Sequence, residues 1–338
     1  MSLHHPIVAV VGATGAVGGE LIACLQDRNF PLDRLRLFAS GRSAGRTLLF
    51  RSRAILVEEL NEDSFPGVDI ALFSAGSAVS RRFAPIAVRQ GSVVVDNSSA
   101  FRMEPDVPLV VPEVNPQTIA RHSGIIANPN CVAIVTVVPL WPLHQHVRLR
   151  RVVAATYQAA SGAGAAAMEE LRASTAAYLQ GSEYRPHVLA HSYAFNLFSH
   201  DTPVDPSSGY NEEEIKVMRE LRKIMDEPEL RIGITCVRVP VLRAHSIALT
   251  MTFERPITPH EAREVLTAAP GVRIVDDVAG NHFPMPIEAS GQDDVLVGRI
   301  RRDASDPSGC SLAMFVAGDQ LLKGAALNAV QIAEKVGA

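Results

Sequence analysis

A glycine-rich turn near the N-terminus constrains the fold of this chain more than any other feature. The run Gly12-Ala13-Thr14-Gly15-Ala16-Val17-Gly18 directly follows the apolar stretch Ile7–Val11 and opens a helical segment. In such a strand–turn–helix unit, glycines let the backbone approach a pyrophosphate, whose charge the helix N-terminus attracts. Ordinary turns also collect glycine, but this context is the one that the mechanism requires. The turn therefore predicts a dinucleotide-binding site.

The first 130 residues alternate short apolar runs with helical or turn segments. The apolar runs lie at 7–11, 35–38, 70–73, 93–95 and 125–126. Strands that alternate with helices predict right-handed βαβ units and a parallel sheet covered on both faces. We therefore expect an α/β protein in which residues 1–130 form a doubly wound, Rossmann-type nucleotide-binding domain.

The pattern changes after residue 131. We predict a strand at 152–157, an Ala-rich helix at 162–181, a loop at 194–209, a helix at 211–226 and long strands at 230–239 and 246–253. Strands gathered after helices indicate an α+β domain, which we assign to residues 131–318. The last segment, 319–338, is predicted to be a helix that packs back on the first domain.

The composition excludes several classes of protein. A length of 338 residues suggests about two domains, and 47% hydrophobic with 20% charged residues is ordinary for a globular chain. A net charge of −4 without blocks of like charge gives no footprint for nucleic acid or an anionic membrane. The longest apolar run, 131–143, is shorter than the ~20 residues of a membrane span. The N-terminal stretch is not a signal peptide, and the four cysteines are too dispersed for a disulfide framework or a zinc site. We expect a cytoplasmic enzyme without a metal.

The residues after the second strand bear on the choice between NAD and NADP. An NAD site places an acidic residue about 20 residues beyond the glycine turn, to bond the ribose 2′-hydroxyl. This chain has Ser40, Arg42 and Ser43 instead. Two hydroxyls and a guanidinium suit a 2′-phosphate, because Arg can hold phosphate with two parallel hydrogen bonds. A polar surface loop would be the default interpretation without the glycine turn; with it, we favour NADP.

Cys131 has a context that the other three cysteines lack. It follows Asn128-Pro129-Asn130, in which Asn130 suits a helix N-cap, and it precedes an apolar run. In the first turn of a helix, the dipole and the free N–H groups stabilise a thiolate. A buried structural cysteine is the more common alternative, and Cys24 and Cys236 fit it. The pattern indicates an activated thiol at Cys131.

Arg238 stands out on its strand. Ile232, Ile234 and Cys236 alternate on one predicted face, and Arg238 falls next on that face. A charge among apolar residues is costly unless it is paired or faces a ligand. An arginine whose head reaches solvent at the strand end is the alternative.

Taken together, the motifs resemble one enzyme family. The GATGAVG and NPNC runs are followed by TYQAASGAG at 156–164, TCVRVPVLRAHS at 235–246 and KGAALNAVQIAE at 323–334. In this order and spacing, from residue 8 to about 336, the chain resembles the aspartate-β-semialdehyde dehydrogenases. The resemblance implies a homodimer, or a dimer of such dimers, that forms through the second domain.

The resemblance also implies a reaction and its catalytic residues. Family members reduce β-aspartyl phosphate with NADPH, releasing phosphate and forming aspartate semialdehyde, in the biosynthesis of lysine, threonine and methionine. Cys131 would attack the acyl phosphate and form a thioester, which accepts hydride better than a carboxylate. His245 matches the acid/base residue, and Gln158 matches the residue that orients the cysteine and the substrate.

Substrate and cofactor residues are implied in the same way. Arg238 would hold the substrate α-carboxylate, and Glu213 its amine. Arg102 and Lys216 would hold the phosphate, with Asn130 also at the substrate, although Glu213 and Lys216 could instead be an ordinary helix-surface pair. Cofactor contacts are implied for Gly12, Thr14, Gly15, Ala16, Val17, Ser40, Arg42, Ser43, Ser74, Gly76, Ser161, Gly162 and Gln320.

The sequence departs from the family pattern at two places. Val132-Ala133 stand where small hydroxyl residues commonly follow the cysteine. Asp319-Gln320 stand in place of Asp-Asn, so the side chain that would meet the nicotinamide amide keeps its functional group but is one methylene longer.

Two alternative functions share part of this pattern. An N-acetyl-glutamyl-phosphate reductase shares the chemistry, but its acetylated amine needs no acid such as Glu213. A catalytically silent NADP-binding paralogue could have lost Cys131 or His245 at no disadvantage, and both are present.

Overall fold

The computed structural model describes residues 5–337. They form two compact units, one from the described residues of Met1–Asn130 and Gly324–Ala338 and the other from Cys131–Lys323. Residues 1–4 and 338, which sequence analysis assigned to the N-terminal stretch and the terminal helix, lie outside the described residues. Within residues 5–337, no helix is long and apolar enough to cross a membrane.

The secondary structure follows the chain in this order. The strands are β1 Ile7–Val11, β2 Arg34–Ala39, β3 Thr47–Phe50, β4 Arg53–Glu59, β5 Ile70–Phe73, β6 Val93–Asp96, β7 Ile125–Ala127, β8 Leu149–Gln158, β9 Phe198–Ser199, β10 Arg231–Arg238, β11 His245–Phe253, β12 Val272–Ile274, β13 Val295–Arg302 and β14 Ser311–Gly318. The helices are α1 Ala16–Asp27, α2 Ser77–Arg89, α3 Cys131–His146, α4 Ala165–Leu179, α5 Glu212–Met225, α6 Pro259–Thr267, α7 Pro286–Ala289 and α8 Leu327–Gly337. Single 3₁₀ turns cover Pro116–Arg121 and Ala160–Ala163, and a π turn covers Leu322–Ala326.

A seven-stranded sheet in the order β3-β4-β2-β1-β5-β6-β7 forms the first unit. Its pairs from β4 to β7 are parallel, and the β3–β4 hairpin is antiparallel. The central strands are short continuous apolar runs, as in parallel sheets whose faces are covered, and α1, α2 and α8 pack against this sheet. The predicted α/β fold with a Rossmann-type sheet is confirmed. Sequence analysis missed the hairpin, in which Leu49 and Leu56 are exposed.

The glycine turn connects β1 to α1 with very little space. Gly12 has φ +87°, and a Cβ on it would lie 2.4 Å from the carbonyl oxygen of Ser74. A Cβ on Gly18, in the first turn of α1, would lie 2.2 Å from the carbonyl oxygen of Gly12. Only glycine therefore fits at these two positions, and the turn brings the start of α1 close to the ends of β1 and β5.

Helix α8 completes the first unit, although it comes last in the chain. The side-chain amide of Asn328 is buried and donates to the carbonyl oxygen of Val110 at 3.0 Å and to Oδ1 of Asn128 at 2.7 Å. On the surface of the unit, Glu334 and Arg28 form an ion pair at 2.7 Å. The hydrogen bonds of the Asn328 side chain are buried polar contacts that fix the position of the helix.

A mixed sheet in the order β12-β13-β14-β11-β8-β10-β9 forms the second unit. β8 pairs in parallel with β10 and antiparallel with β11, so the ends of β8 and β10 lie side by side. Helix α3 is buried along most of its length and packs against β11, β13 and β14. A helix with apolar residues on every side is typical of such a buried position.

Three predicted boundaries in the second half are wrong. The Ala-rich helix predicted at 162–181 is α4, which begins only at Ala165 because Gly164 has φ +93°. The loop predicted at 194–209 contains β9, which pairs with the end of β10. The helix predicted from 319 begins with a π turn at Leu322, because Asp319 accepts hydrogen bonds from Arg243 and from the backbone of Gly291.

Two neighbouring glycines of α1 test the turn. Replacing Gly18 with alanine forces a Cβ into the Gly12 carbonyl, so we expect destabilisation by about 2 kcal/mol or more. Replacing Gly19, whose Cβ would meet nothing within 4 Å, should be neutral or stabilising by up to about 1 kcal/mol, because alanine favours the helix. Urea unfolding curves of the two variants measure the difference; equal midpoints would contradict the steric argument.

Candidate active site

Cys131 is the first residue of α3. Asn130, which precedes it, is buried, and Cys131 itself is partly exposed. The next two residues, Val132 and Ala133, are fully buried in α3, so these departures from the family pattern lie inside the packed helix. The structure thus places the thiol in the first turn of a helix, where the dipole favours negative charge.

A second thiol, Cys236, lies within electrostatic range of Cys131. Burial raises the pKa of the Cys236 thiol well above its usual range, and nearby Glu213 and Cys131 raise it further. A thiol that stays protonated is a poor nucleophile. Cys236 therefore has the character of a packed core residue, and Cys131 is the better nucleophile of the two.

His245 begins β11 and is completely buried. Its Nδ1 accepts a hydrogen bond from the backbone N–H of Ala159 at 2.9 Å. Its Nε2 has no hydrogen-bond partner within residues 5–337. Burial, followed by the charges of Arg238 and His200, holds the pKa of this imidazole well below its usual value. The ring is therefore neutral near neutral pH.

Gln158 and Arg238 are neighbours at the ends of two parallel strands, because they are partners in the β8–β10 register. Arg238 is 4% exposed. Its Nε donates to Oδ1 of Asp201 at 3.2 Å, and its Nη1 donates to the carbonyl oxygen of Ala159 at 3.4 Å. Gln158 donates from Nε2 to Oε1 of Glu213 at 3.3 Å. The two strands thus bring an amide and a guanidinium together, and α5 adds the carboxylate of Glu213 beside the amide.

Gly162 lies directly against both the imidazole and the guanidinium. A Cβ on Gly162 would lie 3.0 Å from Nε2 of His245 and 3.2 Å from Nη1 of Arg238, which is too close for an unstrained contact. Gly162 itself is exposed, whereas His245 is completely buried and Arg238 is 4% exposed. A ring nitrogen and a cation that lie this close together suit a substrate with a reacting carbonyl and a carboxylate.

Helix α5 carries the other two predicted substrate residues. Glu213 is buried, and its backbone N–H donates to Oγ1 of Thr202 at 3.2 Å. Lys216 is partly exposed and pairs with Glu212 at 3.3 Å. Lys216 therefore forms its helix-surface ion pair with Glu212 and not with Glu213. Glu213 instead points inward and accepts from Gln158.

Sequence analysis missed His200, Asp201 and Tyr193, which surround Arg238. Although partial burial opposes it, the charge of Arg238 lowers the pKa of Asp201. Burial and Arg238 lower the pKa of His200, while Glu213 and Asp201 oppose this shift. Burial raises the pKa of Tyr193 to about 12. All three come from a segment without periodic hydrophobicity, so only the pairing of β9 with β10 could have located them.

Gln320 and Ser161 bond to one another within the second unit. Nε2 of Gln320 donates to Oγ of Ser161, and its Oε1 accepts from the backbone N–H of Ala244 at 2.9 Å. The amide is thus engaged at both ends by residues of this unit.

The first unit holds the remaining predicted cofactor residues, and its glycine turn suits a pyrophosphate. Gly15 is the N-cap of α1, so no side chain makes a capping hydrogen bond to the start of the helix. The first turn of the helix also contains no acidic residue. The first N–H groups of a helix lack intrahelical partners. Thr14, Gly15, Ala16 and Val17 surround this end, so the N–H groups there are suited to an anion.

Two further segments of the first unit carry predicted cofactor residues. Ser40, Arg42 and Ser43 lie on a turn after β2, in which the N–H of Ser43 donates to the carbonyl of Ser40 at 2.8 Å. Ser74 and Gly76 follow β5, and Gly76 is the N-cap of α2.

An acidic residue that sequence analysis overlooked lies beside the turn after β2. A Cβ on Gly41 would be 2.7 Å from Oε1 of Glu59. Glu59 is the last residue of β4, whose register with β2 brings it next to Ala39. Because the strand pairing, not the sequence spacing, creates this proximity, no spacing rule could have found it.

Arg102 is buried in the first unit. Its Nε donates to the carbonyl oxygen of Asn128 at 2.9 Å and its Nη2 to that of Asn97 at 2.7 Å. These carbonyls follow β7 and β6, so two strand ends fix the orientation of the guanidinium.

Throughout residues 5–337, no group of three or more His, Cys, Asp or Glu side chains could hold a metal ion.

Comparison with known proteins places the chain in a family. Residues 7–122 match the family model described as semialdehyde dehydrogenase, NAD binding domain, and residues 140–323 match semialdehyde dehydrogenase, dimerisation domain. The chain is 52% identical over 327 residues to an aspartate-semialdehyde dehydrogenase of Synechocystis sp., covering 97% of this chain and 96% of the relative. The chain belongs to the aspartate-semialdehyde dehydrogenase family.

Other members of the family agree over the whole length. The enzyme of Aquifex aeolicus is 50% identical over 331 residues, covering 97% of this chain and 96% of that one. The crystal structure of aspartate semialdehyde dehydrogenase II from Vibrio cholerae matches with a TM-score of 0.94 at 41% identity, covering 98% of each chain. A structure of that enzyme complexed with ASA matches with a TM-score of 0.95.

The predicted family and enzyme class are confirmed. An aspartate-semialdehyde dehydrogenase is an oxidoreductase that acts on an aldehyde, and the name implies amino-acid biosynthesis. The NAD binding domain indicates a nicotinamide dinucleotide as its cofactor.

Gly162 gives a direct test of this close packing. Gly162→Ala should push the His245 ring or the Arg238 guanidinium out of position, because its Cβ would lie only 3.0–3.2 Å from them. We expect kcat/KM for aspartate semialdehyde to fall about tenfold or more, since displacements near 1 Å are costly in catalysis, and the thermal midpoint to fall as well, because overpacking a buried site costs ~1–3 kcal/mol.

Gly233→Ala is the matched control, because its Cβ would meet nothing within 4 Å. Both variants are compared by steady-state kinetics and thermal unfolding. Unaltered kinetics in Gly162→Ala would mean that the substrate does not bind beside His245 and Arg238.

Proposed function

We propose that this protein reduces β-aspartyl phosphate to aspartate semialdehyde and phosphate with NADPH, through a thioester on Cys131. The observation that carries the proposal is that Nε2 of His245 and Nη1 of Arg238 lie close together beside Gly162, 3.0 and 3.2 Å from the position that its Cβ would take. The substrate carries a carbonyl that must react and an α-carboxylate that can anchor it. The imidazole suits the first and the guanidinium the second.

The other charges of the second unit match the rest of the substrate. We assign the substrate amine to Glu213, which is buried and linked to Gln158. Gln158 is assigned to orient the substrate and Cys131. Asn130, which directly precedes Cys131 in the sequence, is also assigned to the substrate. The phosphate is assigned to Arg102 and Lys216, because a dianion needs cations with several N–H donors. His245 acts at the reacting oxygen.

NADP is the proposed form of the dinucleotide. The glycine turn is assigned to the pyrophosphate, the turn bearing Ser40, Arg42 and Ser43 to the 2′-phosphate, and Ser74 and Gly76 to further cofactor contacts. Gly162, Ser161 and Gln320 are proposed for the nicotinamide end. When bound, the cofactor supplies hydride to the carbonyl carbon.

A homodimer, or a dimer of dimers, is the proposed assembly. The dimerisation family model covers most of the second unit, and this unit exposes large apolar side chains. Tyr178 and Phe195 are 64% and 63% exposed with ring centroids 4.6 Å apart, and Tyr157 on β8 is 39% exposed beside Phe315. Exposed apolar groups of this kind favour a protein partner. We place the enzyme in the cytoplasm, in lysine, threonine and methionine biosynthesis.

The reverse reaction tests the whole proposal. Aspartate semialdehyde, NADP and phosphate are mixed with the protein, and the reduced nicotinamide is followed by its absorbance. We expect NADPH to form only in the cuvette that contains phosphate. If no NADPH forms although the protein is folded and binds NADP, the substrate assignment is wrong, and N-acetyl-glutamate semialdehyde becomes the substrate to try.

The thioester assignment predicts a large loss in Cys131→Ser. A serine hydroxyl is not ionised in this setting and an ester is a poorer hydride acceptor, so we expect kcat to fall about 10³-fold or more. Cys310→Ser, which alters another partly exposed thiol, should retain full activity. Trapping of a labelled acyl group on the wild-type enzyme, and not on Cys131→Ser, completes the test; a fully active Cys131→Ser variant would refute the thioester.

The NADP assignment predicts a selective loss in Arg42→Ala. Removing a charge-assisted contact of about 1.5–3 kcal/mol should weaken NADP binding by roughly 10–100-fold and leave NAD binding nearly unchanged. Arg46→Ala, on the same turn, serves as the control for general loss of positive charge. Titration calorimetry with both cofactors gives the ratio, and equal weakening of NADP and NAD would show that Arg42 does not contact the 2′-phosphate.

A further inference from the structure

Ala244, which directly precedes His245, has an unusual main-chain conformation. Its φ is +71°, in the left-handed region that is unfavourable for a residue with a Cβ. Among residues 5–337, eight non-glycine residues have a positive φ, and Ala244 is the one of them that is buried. Strain of this kind persists only where the surrounding structure enforces it. Neighbouring residues must therefore hold Ala244 in place.

The side-chain amide of Gln320 holds the main chain of Ala244. Its Oε1 accepts a hydrogen bond from the backbone N–H of Ala244 at 2.9 Å, and its Nε2 donates to Oγ of Ser161. Both Gln320 and Ser161 are buried. Because a buried N–H without an acceptor is costly, the bond to Gln320 opposes any rotation of the main chain that would break it.

The residue before Gln320 holds the residue before Ala244. Asp319 is completely buried, and its Oδ2 accepts from Nε of Arg243 at 2.7 Å. Its Oδ1 accepts from the backbone N–H of Leu321 at 2.9 Å, so the carboxylate is fixed within its own turn. Two adjacent contacts thus join the end of β14 to the residues that lead into β11.

Packing explains why alanine, and not glycine, stands at this position. The Ala244 methyl group lies in a buried apolar cluster with Ala289, Leu296 and Ala317. Glycine would adopt the same φ without strain, but it would leave a void in that cluster. The methyl group therefore fills the cluster, and the bond to Gln320 opposes the relaxation that the Cβ favours.

We propose that Gln320 is a positioning residue for His245, acting through the left-handed main chain of Ala244. The φ of Ala244 sets the direction in which the chain enters β11, and His245 is the first residue of that strand. A right-handed φ would turn the imidazole away from the N–H of Ala159, which donates to its Nδ1 at 2.9 Å. The inference rests on the proposed function, in which His245 acts at the reacting oxygen. It is additional to the proposed contact of Gln320 with the nicotinamide end.

The amide signal of Ala159 reports the position of the His245 ring without any assay of activity. Gln158-Ala159 is the only Gln-Ala pair in the sequence, so carbon-13 in glutamine carbonyls and nitrogen-15 in alanine isolate this one signal. The full-length protein is compared with Gln320→Met, which keeps the length of the side chain but removes the acceptor. We expect the signal to shift and the amide to exchange faster with solvent. An unchanged signal and exchange rate would overturn the inference.

Ala244→Gly separates this role from the other contacts of Gln320. Glycine takes the left-handed conformation without support, so Gln320→Met should shift the Ala159 signal much less in the Ala244→Gly background. An effect through Ser161, or through the cofactor, does not depend on residue 244. Equal shifts in the two backgrounds therefore contradict the inference. If Ala244→Gly fails to fold, as judged by thermal unfolding, the Ala159 signal of Gln320→Met alone decides.

Steady-state kinetics test the consequence for the reaction. We expect Gln320→Met to lower kcat about tenfold or more, since displacements near 1 Å are costly in catalysis. KM for aspartate semialdehyde should change less than about threefold, because Arg238 still holds the carboxylate. In the Ala244→Gly background, the loss of kcat should be about threefold smaller or less, because the two residues act as one unit. Additive losses would contradict the inference.

Gln331→Met is the matched control. This partly buried glutamine of α8 donates from Nε2 to Glu113 at 3.3 Å, and its replacement should leave both kcat and the Ala159 signal unchanged. Failure of the proposed function is a separate outcome. A wild-type protein without phosphate-dependent NADPH formation refutes the proposed reaction, whereas the Ala159 signal still tests whether Gln320 positions the ring.

Discussion

The main chain of a single residue, Ala159, holds the two side chains to which the proposed function assigns the reacting carbonyl and the substrate carboxylate. Its N–H donates to Nδ1 of His245, and its carbonyl oxygen accepts from Nη1 of Arg238. The strand β8 ends one residue earlier, and the N–H groups of the next two residues bond to the carbonyls of Val241 and Leu242. A turn fixed at this many points cannot shift the imidazole without also shifting the guanidinium. The distance between the imidazole and the guanidinium is therefore set by backbone geometry, which side-chain substitutions elsewhere leave intact.

Burial is the main cause that lowers the pKa of His245, and the charges of Arg238 and His200 lower it further. Arg238 is itself buried, and Asp201 accepts from its Nε and offsets part of the cost of burying it. Glu213 opposes the lowering of the pKa of His200 and bonds to Gln158. The arginine thus relies on a nearby carboxylate for its buried position and at the same time disfavours ionisation of the neighbouring imidazole.

Much of this architecture follows from local sequence. Continuous apolar runs predict the central strands of the parallel sheet, and the glycine turn and the NPNC run predict the starts of α1 and α3, because each of these signals lies within a few residues. What the sequence misses depends on long-range pairing. The β3–β4 hairpin contains the apolar runs 48–50 and 54–57, but these runs do not show that the two strands pair at the edge of the sheet, where Leu49 and Leu56 are exposed. Strand β9 consists of two residues whose only recognisable feature is their pairing with β10. The sequence therefore does not indicate His200 and Asp201 as candidate site residues, although it does indicate Arg238, which lies on an otherwise apolar strand face. The hydrogen bond from the N–H of Ala159 to Nδ1 of His245 joins residues that are 86 positions apart, so no rule based on local spacing predicts it.

The return of the C-terminal helix to the first unit has a consequence for biosynthesis of the protein itself. Asn328 satisfies buried groups at Val110 and Asn128, which are synthesised about 200 residues before it. While the ribosome is still producing Cys131–Lys323, the dinucleotide-binding unit lacks α8 and leaves those polar groups and part of its apolar surface uncovered. The second unit is contiguous and can fold as it emerges. The unit that is translated first is thus the one completed last, and a nascent chain arrested before residue 324 should need protection by chaperones at its N-terminal half.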